Sequence, residues 1–126
     1  MLKTKSVHSP IAASDGLRIL AARYRGRGLP ASRYHVWMAS LGPSEQLLAS
    51  VDTIGWAELV RRYRAEMAAS PDLDRGNRTI KNHGQKWTLR LLKELARRGD
   101  VTIMCHCAED EARCHRHVLA KLIEAA

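Results

Sequence analysis

The chain of 126 residues contains no phenylalanine, and its aromatic residues are three Trp and three Tyr. A surface that stacks successive unpaired bases needs exposed rings, and here the three Trp read as core residues, so a single-strand platform is disfavoured. Cysteine is scarce and odd in number, with all three between residues 105 and 114. A secreted disulfide scaffold spreads even-numbered cysteines to close long loops, so this clustering points instead to catalysis, metal or redox chemistry. Long apolar runs are missing as well. The longest nearly apolar stretch, around Ile19 to Ala22, falls far short of the ~20 residues of a membrane span. The first ten residues, MLKTKSVHSP, lack the apolar centre of a signal peptide. These absences lead to the expectation of a cytoplasmic, membrane-free protein, with residues 1–126 forming a single domain.

Acidic residues are also in deficit, 13 against 21 Lys and Arg, for a formal charge of +8. The excess is uneven. Residues 1–35 hold seven Lys/Arg and one acid, and residues 71–104 hold eight against four, while the other two segments are slightly acidic. Such a surface attracts phosphates or nucleic acid without specifying which, and it is equally compatible with an ordinary solvated face. Apolar residues at 45% and charged residues at 27% are globular usage and argue against disorder.

The pattern along the chain predicts an α/β fold, a mostly parallel sheet flanked by helices. Residues 1–10 read as an edge strand ended by Pro10. Leu17 to Tyr24 reads as a buried strand closed by Gly26, Gly28 and Pro30. Tyr34 to Leu41 reads as a short strand or helical turn, and Ser44 as the N-cap of a short helix through Leu48. Trp56, Leu59, Val60, Tyr63 and Met67 form the stripe of a helix running from Asp52 or Thr53 to Ala69. Residues 71–83 read as a polar loop. A helix over Gly84 to Arg98 follows, with Trp87, Leu91, Leu92 and Leu95 inward and Gly99 as its stop. Val101 to Cys105 is apolar and β-rich, as a central strand should be, and a loop then leads to a last helix with Val118, Leu119, Leu122 and Ile123 on its inner face.

The chemistry concentrates in VTIMCHCAEDEARCHRH, residues 101–117. Strand C-terminal ends and helix N-termini are where open α/β sheets bind ligands. Three chemistries fit. His106-Cys107, five residues and Arg113 have the spacing of a cysteine phosphatase loop, although Glu109, Asp110 and Glu111 would oppose a phosphate there. Cys105, His106, Cys107, Cys114, His115 and His117 offer four-ligand sets to zinc, without any C-x2-C pair. As a thiol site, Cys107 at the strand end and Cys114 at the helix start would approach each other, with His115, Arg116 and the helix terminus lowering a thiol pKa. Cys105 reads as a small buried hydrophobe.

Cys107-Ala108-Glu109 followed by Cys114-His115-Arg116 resembles the family known as domain of unknown function 488. Arg23, Arg27 and Gly28 match its R-x3-R-G. Trp37 and Leu41-Gly42-Pro43-Ser44 with Leu47 are similar to its W…L-A-P-S-x-x-L. Trp56, Glu58, Leu59, Arg62 and Tyr63 are similar to its W-x-E-F-x-x-R-Y, so the likeness covers most of residues 17–126. Ala22 and Arg25-Gly26 depart from it around the first arginine. The resemblance implies a small α/β domain, usually a stand-alone bacterial or archaeal cytoplasmic protein, and implies no established activity.

If the strands that end near Arg23 and Cys107 are neighbours, these motifs meet in one pocket. The leading expectation is therefore a binder of an anionic, phosphate-bearing ligand such as a nucleotide or nucleic-acid end. Cys107 and His115 are its candidate catalytic residues, and Arg23, Arg27, Ser44 and Arg116 its anion contacts. Cys107, Cys114 and His115 are the candidates for redox or metal chemistry. No cofactor is called for, zinc being the one metal the cluster suits. Pairing of the arginines with Glu109, Asp110 and Glu111 would instead make a closed structural network. Two other readings stay open: a non-catalytic nucleic-acid module using Arg23 to Arg33 and Arg75 to Arg98, with Arg90, Lys93, Arg97 and Arg98 as a basic ridge, and a Cys/His zinc-stabilised interaction domain.

Overall fold

Four strands, β1 (Leu2–Ser6), β2 (Leu17–Leu20), β3 (Val36–Trp37) and β4 (Val101–Cys105), form a wholly parallel sheet in the order β1-β4-β2-β3. The structure is a computed structural model that describes residues 1–79 and 84–126. All five residues of β4 are buried, which suits its central place between β1 and β2. Ile103 pairs with Thr4 on one side and Ile19 on the other. The fold is α/β, with helices α1 (Glu45–Ala49), α2 (Val51–Ala68), α3 (Lys86–Arg98) and α4 (His115–Ala125).

The two-residue alternation of the strands sorts the core into two parts. Ile19, Ala21, Val101 and Ile103 pack with residues of all four helices, among them Leu47, Tyr63, Leu92 and Leu119. Leu20 and Met104 join a smaller cluster with Val7, Ala22, Leu29 and Tyr34, to which no helix contributes. The loop from Ala21 to His35 thus covers the face that a helix would otherwise cover. A loop so placed must satisfy its own backbone. Arginines inside and beside it help: Arg25 donates to Leu29 O at 2.6 Å and to the Tyr34 hydroxyl, Arg18 donates to Ser32 O at 3.1 Å and Arg33 O at 3.3 Å, and Arg33 ties the loop to Val7 O at 2.8 Å and to Ser9 O.

Several elements depart from the sequence reading. β2 stops at Leu20 rather than Tyr24, although Ala21 N still donates to Met104 O at 2.8 Å. The chain leaves the sheet there to pass Gly42, where an added Cβ would lie 2.3 Å from Arg23 N. α2 kinks at Gly55, whose φ is 73°. In α3 the buried stripe is Leu89 and Leu92, with Ala96 packed on the core, whereas Trp87 is 63% and Leu91 58% exposed. Two apolar stripes compete on this helix, and the one carrying the small Ala96 is seated against the sheet. The three Trp are not core residues: Trp37 and Trp87 are exposed, and Trp56 is half-buried against the core. The expected loop at 71–83 begins with a 3-10 turn at Asp72–Asp74, and its residues 80–83 lie outside the described residues. No helix among the described residues is long and apolar enough to cross a membrane.

Candidate functional site

β4 delivers Cys105 to the C-terminal edge of the sheet, and α4 returns Cys114, His115 and Arg116 to the same place. Cys105 shares the strand parity of Val101 and Ile103, so it faces the helices. Its Sγ lies 2.8 Å from Cys114 Sγ and 3.0 Å from Arg116 Nη1. Arg116 is wholly buried, at 0% exposure. Besides the sulfur, its Nη atoms donate to the carbonyls of Cys107 at 3.2 Å and of Ala108 and Glu109 at 3.0 Å each, and its Nε is buried without a partner. No carboxylate forms an ion pair with it among the described residues.

A buried cation without a counter-ion is expensive. The negative charge in direct contact with it is supplied by the Cys105 thiol, with the Glu109 carboxylate acting on it from further off. The Cys114 S–H bonded to it, opposed by burial and aided by His115 and Arg116, brings the Cys105 thiol down to about 5. Cys114 is driven the other way, chiefly by its bond to the Cys105 thiolate and then by burial, so it stays a thiol. For Arg116, burial acts to lower the pKa, but the Cys105 sulfur outweighs it and the guanidinium is held charged.

His115 completes the chain of contacts. Its Nε2 bonds the Ala21 carbonyl, which can only accept, so Nε2 carries the proton and Nδ1 is left as an acceptor. That Nδ1 lies 3.9 Å from Cys114 Sγ. Burial lowers the His115 pKa and keeps the ring neutral, with Tyr63 packed edge-on at 5.6 Å between ring centres. Cys107 is half-buried, and burial raises its thiol. The sulfurs of Cys105, Cys107 and Cys114 all lie within 4.8 Å of one another, close enough to hold a metal ion.

Two hollows open here. One, of about 220 Å³, is lined by Cys105, Cys107 and His115 with Ala22, Arg23, Tyr24, Pro43, Leu48 and His106. The other, of about 410 Å³, is lined by His8, Arg27, Arg33 and His106 with the Gly26 to Pro30 turn. His106 is their shared wall, held by the Tyr24 carbonyl at 3.0 Å from its Nε2. Gly26 (φ 90°) makes this possible, since a Cβ there would lie 2.8 Å from His106 Cε1.

A family profile described as the active DUF488-N3 subclade matches residues 2–126. The chain belongs to the DUF488-N3a family. Neither the curated proteins nor the solved structures provide a match. In this DUF488-N3a chain, Cys107, Cys114, His115 and Arg116 come together, and Arg27 lines the neighbouring cleft. Arg23 borders the thiol hollow, but its guanidinium is spent on the Gly42 and Pro43 carbonyls at 3.0 Å. Ser44 stands apart: its Oγ caps Leu47 N at 3.1 Å and donates to Glu66, in a separate hollow. Glu109 accepts from Ser9 Oγ at 2.6 Å, and none of Glu109, Asp110 and Glu111 forms an ion pair among the described residues. The phosphatase-type loop is not built: Arg113, the arginine at its spacing, is exposed, and three carbonyls of the loop turn instead to the buried Arg116. The sequence marks Cys105 and His106 as possible zinc ligands, with His106 also in the phosphatase-type spacing and Cys105 otherwise a small buried hydrophobe, and does not single out His8, which lines the cleft beside Arg27. For Cys105 the signal was available in its strand parity, which aims it at the helix that carries Cys114.

Proposed function

We propose that this protein binds a phosphate-bearing, nucleotide-like anion in the cleft beside Arg27 and presents it to a thiolate centre across His106. Cys105 is the thiolate, Cys107 stands at the mouth, and His115 takes or returns a proton at Nδ1. The observation that carries the reading is the buried Arg116–Cys105 pair, a charged sulfur opening on a hollow at the strand ends. Arg27 supports the anion half. Arg23, Arg25 and Arg33 are committed to backbone and Tyr34 oxygens, while Arg27 makes no hydrogen bond or ion pair among the described residues. Exposed Tyr24 lies at the rim, where a base would stack. Calorimetric titration with inorganic phosphate and with a nucleoside monophosphate tests this. Wild type should bind and Arg27→Ala should not, at unchanged melting temperature; equal binding by both chains overturns the anion site.

A nucleic-acid surface without catalysis is favoured by one feature. Exposed Trp87, with Lys86 Nζ 5.3 Å from its ring centre and Arg90 one turn on, makes a basic aromatic strip. Lys93 and Arg97 take less part in it, being bonded to Ala126 O and Glu94. Binding that falls steeply with salt and is lost in Trp87→Ala would support this reading over the first. Zinc on the three sulfurs would require about 3.8 Å between ligands for four Zn–S bonds near 2.3 Å. Cys105 and Cys114 stand at 2.8 Å, so thiol chemistry fits the geometry better than a metal, and metal analysis of the purified chain decides between them.

A further inference from the structure

We propose that Cys105, Cys114 and Cys107 act as a three-thiol relay that reduces small hydroperoxides, an activity that rests on the thiolate reading above. The three sulfurs have different access. Cys105 and Cys114 are 1% and 2% exposed, whereas Cys107 is half-buried, and of the three Cys105 and Cys107 line the hollow. That hollow, about 220 Å³ and narrowed by Ala22, Pro43 and Leu48, admits a small oxidant to Cys105 and excludes a bulky one.

The chemistry balances as follows. The Cys105 sulfur attacks the terminal oxygen of the hydroperoxide. An S–O bond forms, the O–O bond breaks, and the leaving alkoxide takes up a proton from water to depart as the alcohol. Cys114, poised 2.8 Å from that sulfur, passes its proton to His115 Nδ1 at 3.9 Å and attacks the Cys105 sulfenic acid. An S–S bond forms, the S–O bond breaks, and hydroxide leaves as water with the proton from His115. The peroxide has gained two electrons and the thiol pair has lost them.

The resulting bond is closed to any large reductant. Cys107, within 4.8 Å of both partners, then attacks one sulfur as its thiolate and moves the disulfide to the mouth, where an external dithiol returns it to three thiols. This accounts for a third cysteine beside a pair that could close alone. It also gives Cys105, the last residue of β4, and Cys107, in the bend just after it, separate roles.

The full-length reduced chain is exposed to hydrogen peroxide, and its mass and disulfide-linked peptides are followed with time, alongside the pH dependence of Cys105 alkylation. A loss of two hydrogens, with the Cys105–Cys114 peptide appearing before any Cys107-linked one, is the expected result. In Cys114→Ser, Cys105 should accumulate as a sulfenic acid trapped by a dione probe. In Cys107→Ser the buried disulfide should form normally but lose its rapid reduction by a protein dithiol. Absence of peroxide-dependent disulfide in wild type, or reduction of Cys107→Ser at the wild-type rate, overturns the relay. If Cys105 alkylates as an ordinary thiol, the thiolate reading fails with it; if Cys105 titrates low and no disulfide forms, the relay alone fails.

Discussion

Arg116 and Cys105 are each other's counter-ion: the guanidinium is wholly buried, lacks a carboxylate partner among the described residues, and meets the Cys105 sulfur at 3.0 Å. The arrangement ties fold to chemistry, because the same side chain that charges the thiol also collects three carbonyls of the Cys107–Glu109 loop. Local order in that loop and reactivity at Cys105 therefore rise and fall together.

The thiolate has a pH signature. Peptide-resolved alkylation of the metal-free, reduced chain should give Cys105 a midpoint near the value of about 5 set by Cys114, His115 and Arg116. Cys107 should titrate above the ordinary thiol value of about 8.5. The depressed value also has a stability consequence with a definite sign. Between about 5 and the unfolded thiol value the unfolded chain binds the extra proton, so this pair's contribution is complete at high pH and is lost as pH falls toward 5. Urea unfolding of wild type against Cys105→Ala across that range should show the difference shrinking as the pH drops.

Removing the arginine tests the other half of the pair. Arg116→Met leaves the loop carbonyls and the Cys105 sulfur without their donor, and about 3–5 kcal/mol of stability should go with it. Cys105 should then alkylate as an ordinary thiol. Should that chain fail to fold, Arg116→Lys keeps the charge but cannot span the sulfur and all three carbonyls. It should raise the Cys105 midpoint while retaining part of the stability. A Cys105 midpoint unchanged in Arg116→Lys, together with unchanged stability, would contradict the pairing.

Gly26 links the two hollows. A Cβ there meets His106 at 2.8 Å on a backbone with φ of 90°, so Gly26→Ala is strained by both neighbour and conformation. A loss of about 1–2 kcal/mol is expected. Because His106 walls both hollows, phosphate affinity and Cys105 alkylation should change together in this variant. A change in neither would show that His106 does not connect them.

Much of this arrangement was legible from residue order. The central strand Val101–Cys105, the helix starting behind Cys114 and the cap at Ser44 follow from apolar runs, strand composition and a hydroxyl before a helix, all local signals. What local signals could not decide were choices settled by neighbours. α3 carries two plausible apolar stripes, and packing against the sheet selects Leu89 and Leu92 over Trp87 and Leu91. The arginine-rich segment before Tyr34 reads as an anion-binding surface by charge alone. In place, Arg23, Arg25 and Arg33 are bonded to backbone carbonyls that tie this loop to itself and to neighbouring segments, leaving Arg27 for a ligand. In sequence Cys105 reads as a filler because free cysteine usually is one, and only the buried arginine across from it changes that.

A buried carboxylate at the opposite end of the strands sets an acid limit that is independent of the thiols. Asp15 accepts from Lys5 Nζ and Ala12 N at 2.8 and 2.9 Å, and its carbonyl receives the Thr102 hydroxyl at 2.7 Å. Burial acts to raise the Asp15 pKa, but the bonds from Ala12 and Lys5 and the charges of Lys5 and Arg18 outweigh it and hold the carboxyl below 3.8. Stability from this group is therefore present above that value and is lost as pH falls through the lower folded value. Asp15→Asn strands the Lys5 ammonium and should cost about 2–3 kcal/mol near neutrality. Urea unfolding of both chains should show that gap narrowing below pH about 4, where the wild-type carboxyl itself takes up a proton. A gap that stays constant down to the lowest pH would mean that the Lys5 contact contributes nothing beyond packing.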